Sequence, residues 1–189
     1  MALTEPNILV FTAGKTQERI DLGFHFLGPV TTRKHVLYKK AGRAITITGL
    51  EDLKRQQLKV GVMRGHWQEK FFMDQGVTVE AVTTHPQNIK KVLRDRIDLF
   101  TSSDLELGET LKIAEVNADQ IEEVYVYREI SGYLLFSKDT SPEILAQWQQ
   151  AFSALQSTDF FEKTAKKWSG ILGISLHYSA EKGFFVQQK

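Results

Sequence analysis

Residues 58–111 switch repeatedly between two hydrophobic periods, and few architectures accept that. Leu58-Lys-Val-Gly-Val-Met63 alternates and is β-branched, as a strand requires. A run from about residue 66 to 74 follows at helical spacing, with Phe71 four positions after Trp67 and Phe72 five. Residues 77–82 read as a second strand. Pro86 then sits where a helix would begin, with Ile89, Val92 and Leu93 as its apolar stripe. Residues 97–101 read as a third strand, and Ser103-Asp-Leu-Glu106 has the spacing of a capping box that opens a helix towards Leu111. Three strand–helix alternations with short connections predict a parallel sheet with helices packed on it. In such sheets ligands bind beyond the strand ends.

The first strand–helix junction is the strongest pointer to a site. Met63-Arg64-Gly65-His66-Trp67 passes from strand to helix in one tight turn. Such a turn directs backbone N–H groups and the positive end of a helix dipole outwards. Arg64 and His66 flank the glycine, and Trp67 adds a flat ring. Together they suit one wall of a pocket for a small anionic or zwitterionic ligand. The plainer readings are a surface charge for Arg64 and a core anchor against Phe71 for Trp67.

Elsewhere the pattern predicts strands over residues 7–12 and 30–39, a polar turn at residues 16–19, and a helix over residues 50–57 capped from Thr48-Gly-Leu-Glu51. Residues 123–136 read as extended. Thr140-Ser-Pro-Glu143 opens a helix through Leu155, and residues 160–168 form another. Residues 171–189 carry no clear period and remain unassigned.

The chain has 189 residues, enough for one good core or two small lobes. A formal net charge of +1 argues against nucleic acid or an acidic membrane surface as partner. With no cysteine, disulfides, thiolate metal sites and thiol catalysis are excluded. No apolar run approaches the ~20 residues of a membrane-spanning helix. His25, His35, His66, His85 and His177 are scattered without metal-ligand spacing, and no phosphate loop, nucleophile elbow or triad motif occurs, so neither metal nor cofactor is expected. The N-terminus lacks the basic and apolar regions of a signal peptide.

Two further groups are candidates. Arg19 follows the turn Thr12-Ala-Gly-Lys-Thr-Gln-Glu and could grip a carboxylate through two parallel hydrogen bonds. On spacing alone, a solvated charge paired with Glu18 or Asp21 is the simpler reading. Ser103 reads first as a helix cap, while Asp104 beside it could meet an ammonium group.

These pieces, in this order, resemble the family 3 extracellular solute-binding proteins, which bind polar amino acids and similar solutes for ABC transporters. Four segments carry the resemblance: Asn7-Ile-Leu-Val-Phe-Thr-Ala-Gly-Lys-Thr-Gln-Glu-Arg19 with Phe26-Leu-Gly-Pro-Val30; Leu50-Glu-Asp-Leu-Lys54 with Val60-Gly-Val-Met-Arg-Gly65; Val92-Leu-Arg-Asp-Arg-Ile-Asp98; and Tyr133-Leu-Leu-Phe-Ser-Lys138. The resemblance implies an α/β, periplasmic-binding-protein type II-like fold and a non-enzymatic binding module. Its two lobes would close on a small polar solute by bending near Thr48 and Tyr125. It implies that Arg19 holds the solute carboxylate, that Thr12 and Gly14 support it, and that Gly65, His66 and Trp67 form the facing turn. Arg64 and Asp104 extend that set.

The chain also departs from the family. Ser103 stands where an ammonium-binding aspartate is usual, Gly14 lacks a hydroxyl that many members have, and Asp95 replaces a glycine. The strand–helix–strand–helix unit that ordinarily precedes the Asn7 strand has no counterpart. The expected organisation is therefore a partial first lobe (residues 1–48), a complete second lobe (49–124), and a return segment with an unmatched tail (125–189). An incomplete lobe exposes sheet edges and an apolar helix carrying Leu145, Trp148, Phe152 and Leu155, which predicts a homodimer unless the tail folds back. An ABC permease is the further partner implied. Location is periplasmic by resemblance, or cytoplasmic if the gene has no leader. Two rival readings are a cyclohexadienyl-dehydratase-like enzyme using His66 or Asp104, and an oligomeric remnant that binds nothing.

Overall fold

The computed structural model describes residues 1–187. Packing divides the chain into two compact units, residues 34–129 and residues 1–33 with 130–187. Two long strands, β2 (His25–Lys40) and β6 (Ile121–Phe136), run from one unit into the other.

The unit of residues 34–129 contains α2 (Glu51–Arg55), β3 (Lys59–Met63), α3 (Trp67–Asp74), β4 (Thr78–Val82), α4 (His85–Leu93), β5 (Leu99–Ser103) and α5 (Leu107–Ala114). A short 3-10 turn at Ala118–Gln120 leads into β6. Strand β3 pairs parallel with β4 (Val60↔Val79) and with β5 (Gly61↔Phe100), as the three alternations require. Strand β2 continues the row antiparallel to β5 (Leu37↔Thr101), with β6 on its other side, so the sheet is mixed.

Alternation along each strand sorts the core into two faces. Leu37, Val60, Val62 and Leu99 pack with Leu53 and Phe72 beneath α2 and α3. Val36, Tyr38 and Phe100 pack with Ile89, Val92 and Leu111 beneath α4 and α5. Both faces are covered, which is why β3 reads as an almost unbroken apolar run. Burying a side chain such as Leu53 or Leu99 completely contributes about 2–3 kcal/mol. Gly61 is needed where α4 crosses: an added Cβ would lie 2.5 Å from Asn88 Oδ1 and from Ile97 Cδ1.

Helix starts follow the chemistry of caps, with two corrections. At α4, Thr84 caps while Gln87 Oε1 accepts from the Thr83 and Thr84 amides, with Pro86 in the first turn. At α2 the cap runs through Asp52, not Glu51. Its carboxylate accepts from the Thr48 amide and hydroxyl, and those bonds hold its pKa below the usual carboxylate range. Ser103 does not cap α5. That strand continues through Ser103, the helix begins four residues later, and Glu106 occupies the cap position.

In the other unit, β1 (Leu9–Gly14) pairs antiparallel with β6 (Leu9↔Phe136), with an irregularity between Val10 and Ala13. The segment expected as a polar turn forms a short helix, α1 (Gln17–Asp21), capped by Thr16. Helices α6 (Pro142–Gln156) and α7 (Phe160–Leu172) match the sequence expectation, with Ser141 capping α6. The unassigned stretch forms a hairpin of β7 (Leu176–Ser179) and β8 (Gly183–Val186), and β8 joins β2 in parallel at Thr31↔Phe184.

That hairpin is fastened by aromatics. Phe161 of α7 stacks on Tyr178 at 4.5 Å and meets Phe184 at 5.8 Å, while Gln156 Nε2 donates to the Tyr178 hydroxyl. Thr32 Oγ1 donates to Lys182 O across the join. Gly183 adopts φ +66, and any Cβ there would collide with the Val30 backbone, so only glycine lets β8 approach β2. The core of this unit is small: Leu27, Leu134 and Phe136, flanked by Leu9, Val30, Leu145 and Phe152. No residue of α6 is fully buried, and Trp148 is 42% exposed.

Candidate functional site

In the unit of residues 34–129, the parallel register of β3 and β5 brings two of the expected segments to one edge. Since Gly61 lies opposite Phe100, the turn after Met63 and the residues after Ser102 emerge at the same end of neighbouring strands. At the first, Gly65 adopts φ +73, with open space where a Cβ would stand. Glycine is required there for its backbone, not for lack of room. The Gly65 N–H, expected to face outwards unpartnered, instead donates to Glu69 Oε2 at 2.6 Å. His66 caps α3 in extended backbone without a side-chain bond.

Trp67 is 38% exposed and sits in an aromatic cluster. Its ring meets His35 edge-on at 5.0 Å and Phe71 at 5.7 Å, with Tyr127 at 6.3 Å. The Arg128 guanidinium lies 5.1 Å from the Trp67 centroid and 5.8 Å from that of Phe71. Trp67 is thus both an anchor and a partly open ring carrying a cation on its face. Tyr127 shares a hydrogen bond with Thr101, and burial pushes its pKa upwards.

At the second segment, Ser103 is 1% exposed and its hydroxyl has no hydrogen-bond partner among the described residues. A buried, unpartnered hydroxyl is costly unless something else completes it. Asp104 accepts from the Lys34 amide at 3.1 Å and the Leu105 amide at 2.9 Å, both on Oδ1. Burial outweighs these bonds and raises its pKa to about 6.

Arg64 parts company with its neighbours. Its amide donates to Val82 O at 2.8 Å, and its side chain lines a cavity of about 400 Å³ with Thr83, Gln87 and residues of α4. Trp67 is not among the residues lining that cavity.

In the unit of residues 1–33 and 130–187, Arg19 folds back on β1, where Nη1 donates to Gly14 O at 2.6 Å. Its amide donates to Thr16 Oγ1. Neither Glu18 nor Asp21 pairs with it; Asp21 instead accepts from Gln17. Arg19 also lines a cavity of about 320 Å³ with Leu3, Ala13 and Leu22. Thr12 packs on Gly132, where a Cβ would come within 3.0 Å of its hydroxyl. Thr12 and Gly14, expected in a loop, thus lie in β1, and Arg19 lies in α1 directly after it.

Sequence reasoning did not single out His35, Tyr127 or Arg128. Tyr127 and Arg128 lie in a strand whose alternation marks its faces but not what those faces meet. Among the described residues no group of three or more histidines or carboxylates could hold a metal ion. No described helix is long and apolar enough to cross a membrane.

No protein-family model matches the chain, and no curated protein matches it significantly. Solved structures do. A mutant of ArgBP from T. maritima shares 14% identity at TM-score 0.65, covering 84% of this chain and 66% of that one. The GluR0 ligand-binding core from Nostoc punctiforme, in complex with L-glutamate, shares 19% at TM-score 0.64, covering 84% and 73%. An ancestral amino acid-binding protein, a precursor of cyclohexadienyl dehydratase, shares 19% at TM-score 0.61, covering 82% and 65%. The chain thus spans about two thirds of the length of these structures. At such identities the likeness is one of fold, and the α/β fold of this chain is periplasmic-binding-protein type II-like.

Proposed function

We propose that the protein is a binding module for a small polar, amino-acid-like solute, serving an ABC-type uptake system in the periplasm. The observation that carries this reading is the common strand edge of β3 and β5, where Gly65–Trp67 and Ser103–Asp104 emerge together. That edge offers groups matched to a zwitterion. Asp104 can take an ammonium, the unpartnered Ser103 hydroxyl can complete its bonds on the same group, and the Trp67 ring can cover an apolar or cationic side chain. Arg19 is assigned to the solute carboxylate, with Thr12 and Gly14 as its support. A guanidinium that has no carboxylate partner among the described residues is available for one. Gly65 and His66 shape the turn, and Arg64 is a weaker contact because its side chain lines another cavity.

Titration calorimetry against the common amino acids, with native mass spectrometry of what co-purifies, tests the proposal. One amino acid binding at micromolar affinity or better is expected. No heat with any amino acid and an empty mass spectrum would remove the reading.

A second reading is favoured by one observation. A carboxyl group with its pKa raised to about 6 lies in the range of a general acid or base. Cyclohexadienyl-dehydratase-like turnover of prephenate or arogenate, lost in Asp104→Asn, would replace binding by catalysis. The exposed apolar residues of α6 further support a homodimer as the working form.

A further inference from the structure

Away from the common strand edge of β3 and β5, the cavity that takes up Arg64 gathers five cationic side chains. Arg64, Lys90, Lys91, Arg94 and Arg96 line it, with Thr83 and Gln87 between them. A helix dipole accounts for Lys90 and Lys91 in the last turn of α4. It does not account for Arg64, which arrives from the end of β3, or for Arg96, which follows the helix. Three chain segments converge to place like charges together. Lys90 and Arg94 are also four apart in sequence, a spacing at which like charges repel on a helix.

Counter-charge within the fold is sparse. Lys91 is paired with Glu80, whereas Asp95 turns away to Lys40 and Arg43. Among the described residues no carboxylate lies within 4.0 Å of Arg64, Lys90, Arg94 or Arg96. In a chain of net charge +1, this is a concentrated and uncompensated field. Arg64 enters beside the end of β4, where its amide donates to Val82 O just ahead of α4, whereas Lys90, Lys91, Arg94 and Arg96 lie at and beyond the other end, so the cations flank a helix of roughly 13 Å. A single compact anion could touch only part of that row. An extended anion with several charges could meet all of it.

We propose that the groove along α4 binds an elongated, soluble multivalent phosphate of the triphosphate or nucleoside-triphosphate class. Arginine forks suit phosphate oxygens, and Gln87, whose Oε1 accepts from Thr83 and Thr84, keeps its Nε2 as a neutral donor. Apart from Arg64, this groove shares no residue with the proposed solute site.

Calorimetry on the full chain with inorganic tripolyphosphate, in about 0.15 M salt, tests it. One-to-one binding is expected, at least tenfold tighter than with monophosphate. The pair Arg94→Gln/Arg96→Gln should weaken it at least tenfold at an unchanged melting temperature. The pair Lys112→Gln/Lys166→Gln, which removes the same charge elsewhere, should leave it unchanged. Equal losses in both pairs would overturn the proposal. So would capture by phosphatidylglycerol vesicles without tripolyphosphate binding, or tighter binding of an oligoglutamate peptide.

Discussion

Asp104 ties a local environment to a measurable dependence on pH. Its pKa rises from an ordinary 3.8 to about 6 because burial outweighs the two amide bonds it accepts. Between those values the folded chain holds a proton that the unfolded chain releases, so this group lowers stability as pH rises through that window. Asp104→Asn should therefore melt higher than the parent at pH 7, and the gap should shrink towards pH 4. A gap that grew on acidification would contradict the assignment. For a solute ammonium the sign reverses, because binding needs the carboxylate. Affinity should fall below pH 6, by up to about tenfold per unit. Arg19 gives the other residue-scale test. If Arg19 holds the solute carboxylate as proposed, Arg19→Ala deletes a charge-assisted pair of hydrogen bonds and should weaken solute binding by about 2–4 kcal/mol. Calorimetry showing the parental affinity would take Arg19 out of the site.

At the scale of elements, two junctions carry unequal weights. Helix α4 lies on β3 with no room at Gly61, where a methyl would press on Asn88 and Ile97. Gly61→Ala should cost about 1–3 kcal/mol in denaturant unfolding, as overpacking of a filled core does. The β7–β8 hairpin is held to α7 by the ring of Phe161, itself 8% exposed. Phe161→Ala should cost about 3–5 kcal/mol and leave the hairpin amides exchanging with solvent sooner than those of β3. Equal protection in the variant and the parent would show that the hairpin is anchored elsewhere. The cap of α2 obeys the same logic in small. Asp52, held ionised by Thr48, stabilises its turn at neutral pH, and that contribution is lost as pH falls through the carboxylate range.

For the whole molecule the open question is what covers α6. The hairpin packs on Phe161 and reaches Gln156, a fold-back of the kind expected as the alternative to a dimer. It leaves Trp148 at 42% and Leu155 at 39% exposed, and Phe11 of β1 at 72%. The proposed homodimer would bury these residues, and light scattering at micromolar concentration should report twice the 21.6 kDa of one chain. Trp148→Glu should then shift the protein towards monomer. A parent chain that is monomeric at those concentrations would show that the hairpin suffices.

The sequence by itself determined the strand–helix order of residues 58–111, the helices α4 and α6 with Pro86 and Pro142 in their first turns, and the tight turn at Gly65. These follow from hydrophobic period and cap chemistry, which act within a few residues of one another. Tertiary structure decided the rest. It moved the α5 start beyond Ser103, because β5 stays paired with β2 through that position, His35 opposite Ser103. It built a hairpin from two four-residue strands too short to show a period, using the close approach of Gly183 to Val30. It also parted Arg64 from Trp67 and brought His35, Tyr127 and Arg128 around the ring. Such contacts join residues far apart in the chain, so no local pattern records them. Whether a turn residue serves a pocket or a groove depends on what other strands and helices place beside it.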